Sequence, residues 1–456
     1  GKIGKPEITY SGTVGLKTPT YLRKIQNTLE YAEFMDEGLR NARINGFPQE
    51  VFDKIRANAA PELDGGWNYG ITSYPGFYGY TDWNKEIYKN STQQLHNLSI
   101  SGGGENNNYV VSMGYNKDEG SLRFGENNSE RYNLRLNYDF RLTPKLNFET
   151  RTSFENKSTI TPTMLGNALT NVTTQFPYQP LGNPNGQFYG YQGYENPPQS
   201  LEEAGSQRGS SSRFATNFKA DYTILEGLKL TGQAAIRLDY LNDNGASRTF
   251  TRYNYVGEVQ DIRNTPNSAS YLNLKTLNQL YQVYLDYNKQ LGADHRINFT
   301  GGGSIEKTKI EGQTTYGYNF IGNDIFTLNL ADRTKAAYAN FTGRLSNQAL
   351  GSYFGRFSYS FREKLVLDLT ARADGSSKFS PDKRWSAVFP SAALAYNLSE
   401  ESFVKSLNTF DLLKLRASWG KMGNQEIGQL GLYDYIPLIS IISDNANNAI
   451  PYPIGS

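Results

Sequence analysis

His96 and His295 are the only histidines in the chain, and there is no cysteine. A metal site needs several His, Cys or carboxylate ligands at short spacing, and nucleophilic catalysis needs a base within reach of its nucleophile. Neither histidine has such company. His96 shares strand parity with Leu98 and Ile100, which suits an interfacial or loop-packing role, and His295 follows the turn "GAD" at a rim. The carboxylate pairs Asp36/Glu37 and Glu400/Glu401 have the type for acid–base work, yet they fall in helix or loop contexts where a solvated face is the default. The runs Gly102–Gly104 and Gly301–Gly303 lack the Lys-Ser/Thr of a phosphate loop and open no helix. Strand ends and bends account for them. The chain reads as no enzyme, with no cofactor and no metal.

Aromatic loops carry the better signal. "GGWNYGITSYPGFYGYTDW" (65–83) holds Trp67, Tyr69, Tyr80 and Trp83, and "GQFYGYQGYENPP" (186–198) holds Tyr189, Tyr191 and Tyr194. Rings of this kind stack on sugars or apolar groups, and tyrosine adds a hydroxyl. These seven are the candidate substrate contacts; packing within the loops or contact with a lid protein is the competing role for each.

The elements that would position them are strands. In "RYNLRLNYDFRL" (131–142), Tyr132, Leu134, Leu136, Tyr138, Phe140 and Leu142 take one parity. Arg131, Asn133, Arg135, Asn137, Asp139 and Arg141 take the other, so the segment has one apolar face and one polar face. The pattern recurs in "LKLTGQAAIRLDY" (228–240), "YQVYLDYNK" (281–289), "YFGRFSYSF" (353–361) and "LLKLRASWG" (412–420). Alternation predicts about 13 strands: 6–16, 93–104, 107–117, 129–142, 145–157, 210–225, 227–241, 275–291, 294–309, 346–362, 364–374, 384–398 and 411–421. Many of these reach the roughly 9–11 residues that a tilted membrane strand needs.

Short turns at 104–107, 143–145, 226–227, 292–294 and 362–364 alternate with longer connections at 17–92, 118–128, 158–209, 242–274, 310–345 and 375–383. An up-and-down barrel places every second connection at the same rim, so this rhythm gives one rim of tight turns and one of long loops. A Greek-key sandwich has no reason to sort loop length this way. The expected class is therefore all-β: an antiparallel up-and-down transmembrane barrel with short helices in its extracellular loops. Those helices are expected at 18–41, with Thr18 as N-cap and Pro19 at the first helical position, at 49–58 and at 82–90. A further helical turn is expected at 399–408. Arg131, Arg135, Asp139, Arg237, Asp239 and Arg416 would line the lumen.

Composition agrees. Tyr 33, Phe 24 and Gly 44 favour strand, turn and interface, and a net charge of +2 without a basic run gives no reason to expect nucleic acid. A mean hydropathy of −0.60 does not exclude a barrel, because only alternate strand residues meet lipid.

"TDWNKEIY" (81–88), "HNLSISGGGENNNYVVSMGYNKDEG" (96–120), "ERYNLRLNYDF" (130–140), "ARADGSSKFSPDKRWSAVFPSAALAYNLSEESF" (371–403) and "LKLRASWGKMGNQEIG" (413–428) closely resemble SusC/RagA-type TonB-dependent transporters of Bacteroidetes. The resemblance implies a plug inside a barrel of roughly 22 strands. It also implies energy from TonB and a SusD-like surface lipoprotein over the mouth. On that reading residues 1–456 are a partial barrel domain in the outer membrane, 1–5 are the junction from the plug, and 17–92 are the first extracellular loop. Plug and closing strands would belong to a longer polypeptide. The implied activity is import of an oligomeric nutrient, glycan or peptide. A passive porin-like barrel and a surface glycan-binding or adhesion protein are the alternatives.

Overall fold

The computed structural model describes residues 4–63, 76–190, 195–334, 339–407, 409–425 and Tyr435. Its strands are β1 (Gly4–Lys17), β2 (Ser91–Gly103), β3 (Asn107–Glu119), β4 (Asn128–Thr143), β5 (Leu146–Pro162), β6 (Ser206–Leu225), β7 (Leu228–Ser247), β8 (Phe250–Tyr253), β9 (Val259–Arg263), β10 (Ser268–Leu291), β11 (His295–Tyr318), β12 (Ala339–Phe361), β13 (Leu365–Ser376), β14 (Ala387–Asn397) and β15 (Lys414–Gly420). Thirteen of them form one antiparallel sheet in sequence order, with β8 and β9 set aside as a separate ribbon and β7 paired directly to β10. The expected strands are all present. The connection expected at 242–274 is largely strand: it contains the end of β7, the β8–β9 ribbon and the start of β10.

Register keeps the two faces apart. One row runs Met113, Leu134, Phe154, Phe214, Leu238, Leu277 from β3 to β10, all apolar. Another runs Asp139, Glu149, Lys219, Gln233, Gln282, Ser304, Ser352 from β4 to β12, all polar. A one-residue slip in any pair would mix the faces, so the alternation fixes the register.

Among the described residues the large side chains of the apolar face stand mostly open. Phe218 is 56% exposed, Val283 55% and Tyr353 66%, with Leu134, Phe154 and Phe299 beside them. In water each large apolar side chain left uncovered forgoes about 1.5–3 kcal/mol. A face this broad therefore has hydrocarbon as its solvent. The buried apolar clusters lie instead in the connections between strands.

The two rims differ as expected. Turns of two or three residues join β2–β3, β4–β5, β6–β7, β10–β11 and β12–β13 at one rim. Gly227 turns there at φ +81°, where an added Cβ would strike the carbonyl of Asn288. The connection from β14 to β15 is the long one at this rim and carries a short helix, Ser402–Lys405, within the segment expected to be helical. At the opposite rim the strands end at unequal heights. β2 and β3 have 13 residues, β6 and β7 have 20, β10 and β11 have 24, and β13 has 12. Along β11 the outward positions change from Phe299 and Ile305 to Lys307, Lys309 and Glu311, which marks the edge of the hydrocarbon.

The loop helices are α1 (Thr28–Asn41), α2 (Gln49–Arg56), α3 (Trp83–Ile87), α4 (Leu165–Thr174) and α5 (Pro197–Glu203). The expected start of the first helix at Thr18 is wrong. Residues 18–27 are not helical, and the N-cap is Asn27, whose side chain accepts from the Glu30 amide at 2.9 Å while Glu30 accepts from the Asn27 amide at 2.9 Å. A reciprocal capping box satisfies two orphan donors, which a lone Thr-Pro start does not match.

Candidate functional site

The long loops fold on one another into a cap with two apolar clusters. In the first, Ala32 and Leu39 of α1 and Val51, Phe52 and Ile55 of α2 pack with Phe47, Phe77, Tyr78, Tyr178 and Tyr189. In the second, Trp83 and Ile87 of α3 pack with Leu122, Ala168 and Val172 of α4 and Leu201 of α5. The β1–β2, β3–β4 and β5–β6 connections thus share their cores. Arg252, on β8, is buried against Gly190 and donates from Nε to Asp261 Oδ1 of β9 at 2.6 Å, while the Gly190 amide donates to the Tyr253 carbonyl at 2.9 Å and ties the ribbon to the cap.

Between α1, α2 and the segments 77–81 and 178–181 lies a cavity of about 800 Å³. Its lining includes Phe77, Tyr78, Tyr80, Tyr178 and Tyr255, together with Asn27, Thr28, Arg56 and Asn58. Thr28 Oγ1 donates to the Gly79 carbonyl at 2.5 Å and Thr81 Oγ1 to that of Gln179 at 2.6 Å, so both walls are anchored. Tyr78 donates to Glu62 at 2.7 Å, and Lys54 bridges Glu62 and Glu50 at 2.5 and 2.7 Å. The Lys54 ammonium also stands 5.7 Å from the Tyr78 ring centre.

Burial, and then the bond to Glu62, push the Tyr78 phenol up to about 12. Hydrogen bonds from Lys54 and then Tyr78 hold Glu62 below its usual value. A phenol raised in this way contributes stability that is complete below its unfolded pKa of about 10 and is lost as pH rises toward the folded value. Segment 77–81 of the detergent-solubilised protein should become cleavable by an alkaline protease between about pH 10 and 12. Tyr78→Phe should abolish that step; a step that survives the substitution belongs to another group.

The candidate aromatic residues part company in the structure. Tyr80 lines the cavity and is 48% exposed. Trp83, by contrast, is fully buried, with its indole N–H donating to the Phe176 carbonyl at 3.0 Å. Tyr189 is buried between Phe77 and Tyr255 at ring separations of 5.2 and 6.3 Å. Both serve as packing rather than as open stacking faces. Trp67, Tyr69, Tyr191 and Tyr194 lie outside the described residues. The sequence reading did not single out Tyr78, Tyr178 and Tyr255. All three are loop aromatics, so the rule that found Tyr80 applied equally to them.

All six charged candidates stand on the polar face of the sheet. Asp139 pairs with Arg151, Arg151 with Glu149 at 3.5 Å, Glu149 with Lys219 at 3.3 Å, and Lys219 with Asp221 at 3.0 Å. The chain of charges continues from Asp221 through Lys229 to Asp286, which accepts from Thr300 at 2.8 Å, and so spans β4 to β11. Asp239 is held between Arg213 at 2.5 Å and Arg237 at 3.0 Å. Arg131 and Arg135 on β4, and Arg416 on β15, are exposed and without an ion-pair partner among the described residues. Solvated pairs contribute at most about 1 kcal/mol each, so this lattice orders a charged surface more than it stabilises the fold.

The histidines take part in none of this. His96 shares a 2.8 Å hydrogen bond with the Tyr10 hydroxyl on the apolar face, and His295 shares one of 2.7 Å with Tyr359 at the turn rim. No group of three or more potential metal ligands occurs among the described residues.

An antiparallel meander with hydrocarbon on one side, a charged wall on the other and a folded cap at one rim defines an outer-membrane β-barrel protein. Residues 162–453 match the sequence profile of the TonB dependent receptor-like β-barrel, and the chain belongs to that family of receptors and transporters. It is 30% identical over 364 residues to TonB-dependent receptor P26 of Formosa agariphila, covering 77% of this chain and 35% of that protein. It is 29% identical over 409 residues to SusC of Bacteroides thetaiotaomicron, covering 82% of this chain and 37% of that protein. The RagAB peptide importer in its open-open state shares the fold, with a TM-score of 0.77 at 20% identity over 99% of this chain and 50% of that one. The chain therefore spans a little over a third of the length of these curated relatives.

Proposed function

We propose that this chain forms the wall and cap of a SusC-like importer, which takes an oligomeric nutrient, glycan or peptide, across the outer membrane. The observation that carries the reading is the presence in one chain of an aromatic cavity in the cap and a polar, ion-paired face on the sheet. The cavity's volume lies within the roughly 300–1,000 Å³ of ligand pockets, and its mixed lining suits a short oligomer with both rings and polar groups. The wall, with Asp139, Arg237 and Asp239 in its lattice and Arg131, Arg135 and Arg416 beside it, would line a hydrated lumen. A SusD-like lipoprotein would cover the mouth. TonB would supply energy through segments outside this chain. Both partners follow from likeness to SusC and RagA.

The test is uptake by cells carrying the full-length protein, offered labelled oligosaccharides or oligopeptides, with and without TonB. Import of one class that stops without TonB supports the reading; import that continues makes the barrel a passive porin. Tyr80→Ala should weaken binding of the transported oligomer about tenfold by calorimetry, the worth of one stacking face. Unchanged affinity would remove the cavity from the path.

A further inference from the structure

The lipid-facing side of the sheet is not uniformly rough. Ala220 of β6 and Gly232 and Ala234 of β7 form the floor of a groove of about 570 Å³, walled by Phe148, Phe218 and Tyr281. An added Cβ at Gly232 would meet no atom within 4 Å, so the space above it is open. Register places Tyr281 opposite Ile305, and the next outward positions toward the long-loop rim are Gln279 and Lys307, then Leu277 and Lys309, then Lys275 and Glu311. Lys309 pairs with Glu311, Lys275 lies 5.8 Å from the Tyr240 ring centre, and Lys307 has no ion-pair partner among the described residues. Three lysines against one glutamate leave this patch cationic.

We propose that groove and patch together hold one phosphate-bearing lipid of the outer leaflet, with an acyl chain in the groove and its headgroup on Lys275, Lys307 and Lys309. The geometry fits that occupant in two ways. Hydrocarbon is already the medium over the groove, and a cleft between aromatic ridges takes a flexible chain without displacing water. The lysines begin one outward position beyond Tyr281, where the apolar band ends and anionic headgroups lie. A second copy of the chain would bring a second cationic patch to the same level, so charge favours the lipid.

The experiment is native mass spectrometry of the full-length protein, purified in mild detergent and exposed to dioleoyl phosphatidylglycerol or dioleoyl phosphatidylcholine. The anionic lipid should be retained roughly tenfold more than the zwitterionic one, in keeping with a few lysines at a charged interface. The double change Lys307→Gln with Lys309→Gln should bring the two lipids close to parity. Gly232→Phe should release both, with heat-modifiable gel mobility reporting that each variant is folded. Equal retention by the native protein, or a preference that survives the lysine changes, would overturn the proposal. So would a Gly232→Phe variant that splits a dimer and leaves lipid retention unchanged.

Discussion

Trp83→Ala should cost the cap about 3–5 kcal/mol and leave the barrel wall intact. Trp83 is fully buried among Ile87, Leu122, Ala168, Val172 and Leu201, and its indole N–H holds the Phe176 carbonyl. Alanine would leave a cavity and an unpaired acceptor at the place where three loops meet. The sheet, however, draws its stability from its own ladder and from lipid, so the damage should stay local. Hydrogen exchange of the full-length protein in detergent should show amides of α4 and α5 exchanging at least a hundredfold faster, as that free energy implies. Amides of β6, β7 and β10 should be unchanged, as should heat-modifiable mobility. Exchange that accelerates equally in cap and sheet would mean that the two are one cooperative unit, and the division drawn above would fail.

Adjacent faces of one strand should respond oppositely to the same new charge. Leu285→Arg on β10 places a guanidinium in hydrocarbon, which costs about 2–4 kcal/mol near the bilayer midplane. Gln282→Arg, three residues away, puts the same group among Gln233 and Ser304 on the polar face and should change stability by no more than about 0.5 kcal/mol. Reversible urea unfolding of the full-length protein in lipid vesicles would measure both. If the two substitutions cost the same, the faces are wrongly assigned.

The sheet was legible in the sequence because lipid and water enforce a period of two over long runs. "RYNLRLNYDFRL" has a single solution, and the structure sets Leu134 between Met113 and Phe154 on one face and Asp139 between Asn108 and Glu149 on the other. The β8–β9 ribbon was not legible, since four or five residues are too few for alternation to stand out. Its turn, closed by Gly257 at φ +91°, was the available signal. The start of α1 was misread because Thr18-Pro19 is a local motif, whereas the Asn27–Glu30 box wins through two hydrogen bonds at once. Trp83 and Tyr189 show the deeper limit. Composition can say that a loop is aromatic, but only packing decides which rings point inward, and that depends on helices from distant loops. For the same reason the sequence presented the charged wall as residues on a parity, while the lattice linking Asp139 to Asp286 needed the register of five strands.

The unequal strands make the rim slope. From a common level at the turns, β2 and β3 climb 13 residues and β10 and β11 climb 24. With a tilt near 40°, that difference is roughly 25–30 Å of height. The mouth is thus a scoop, with a high back wall formed by β10, β11 and β12 and a low lip at β2 and β3. The connection that holds α1, α2 and α3 leaves from that low side, so the short strands carry the folded helices while the long strands opposite rise bare as the wall itself.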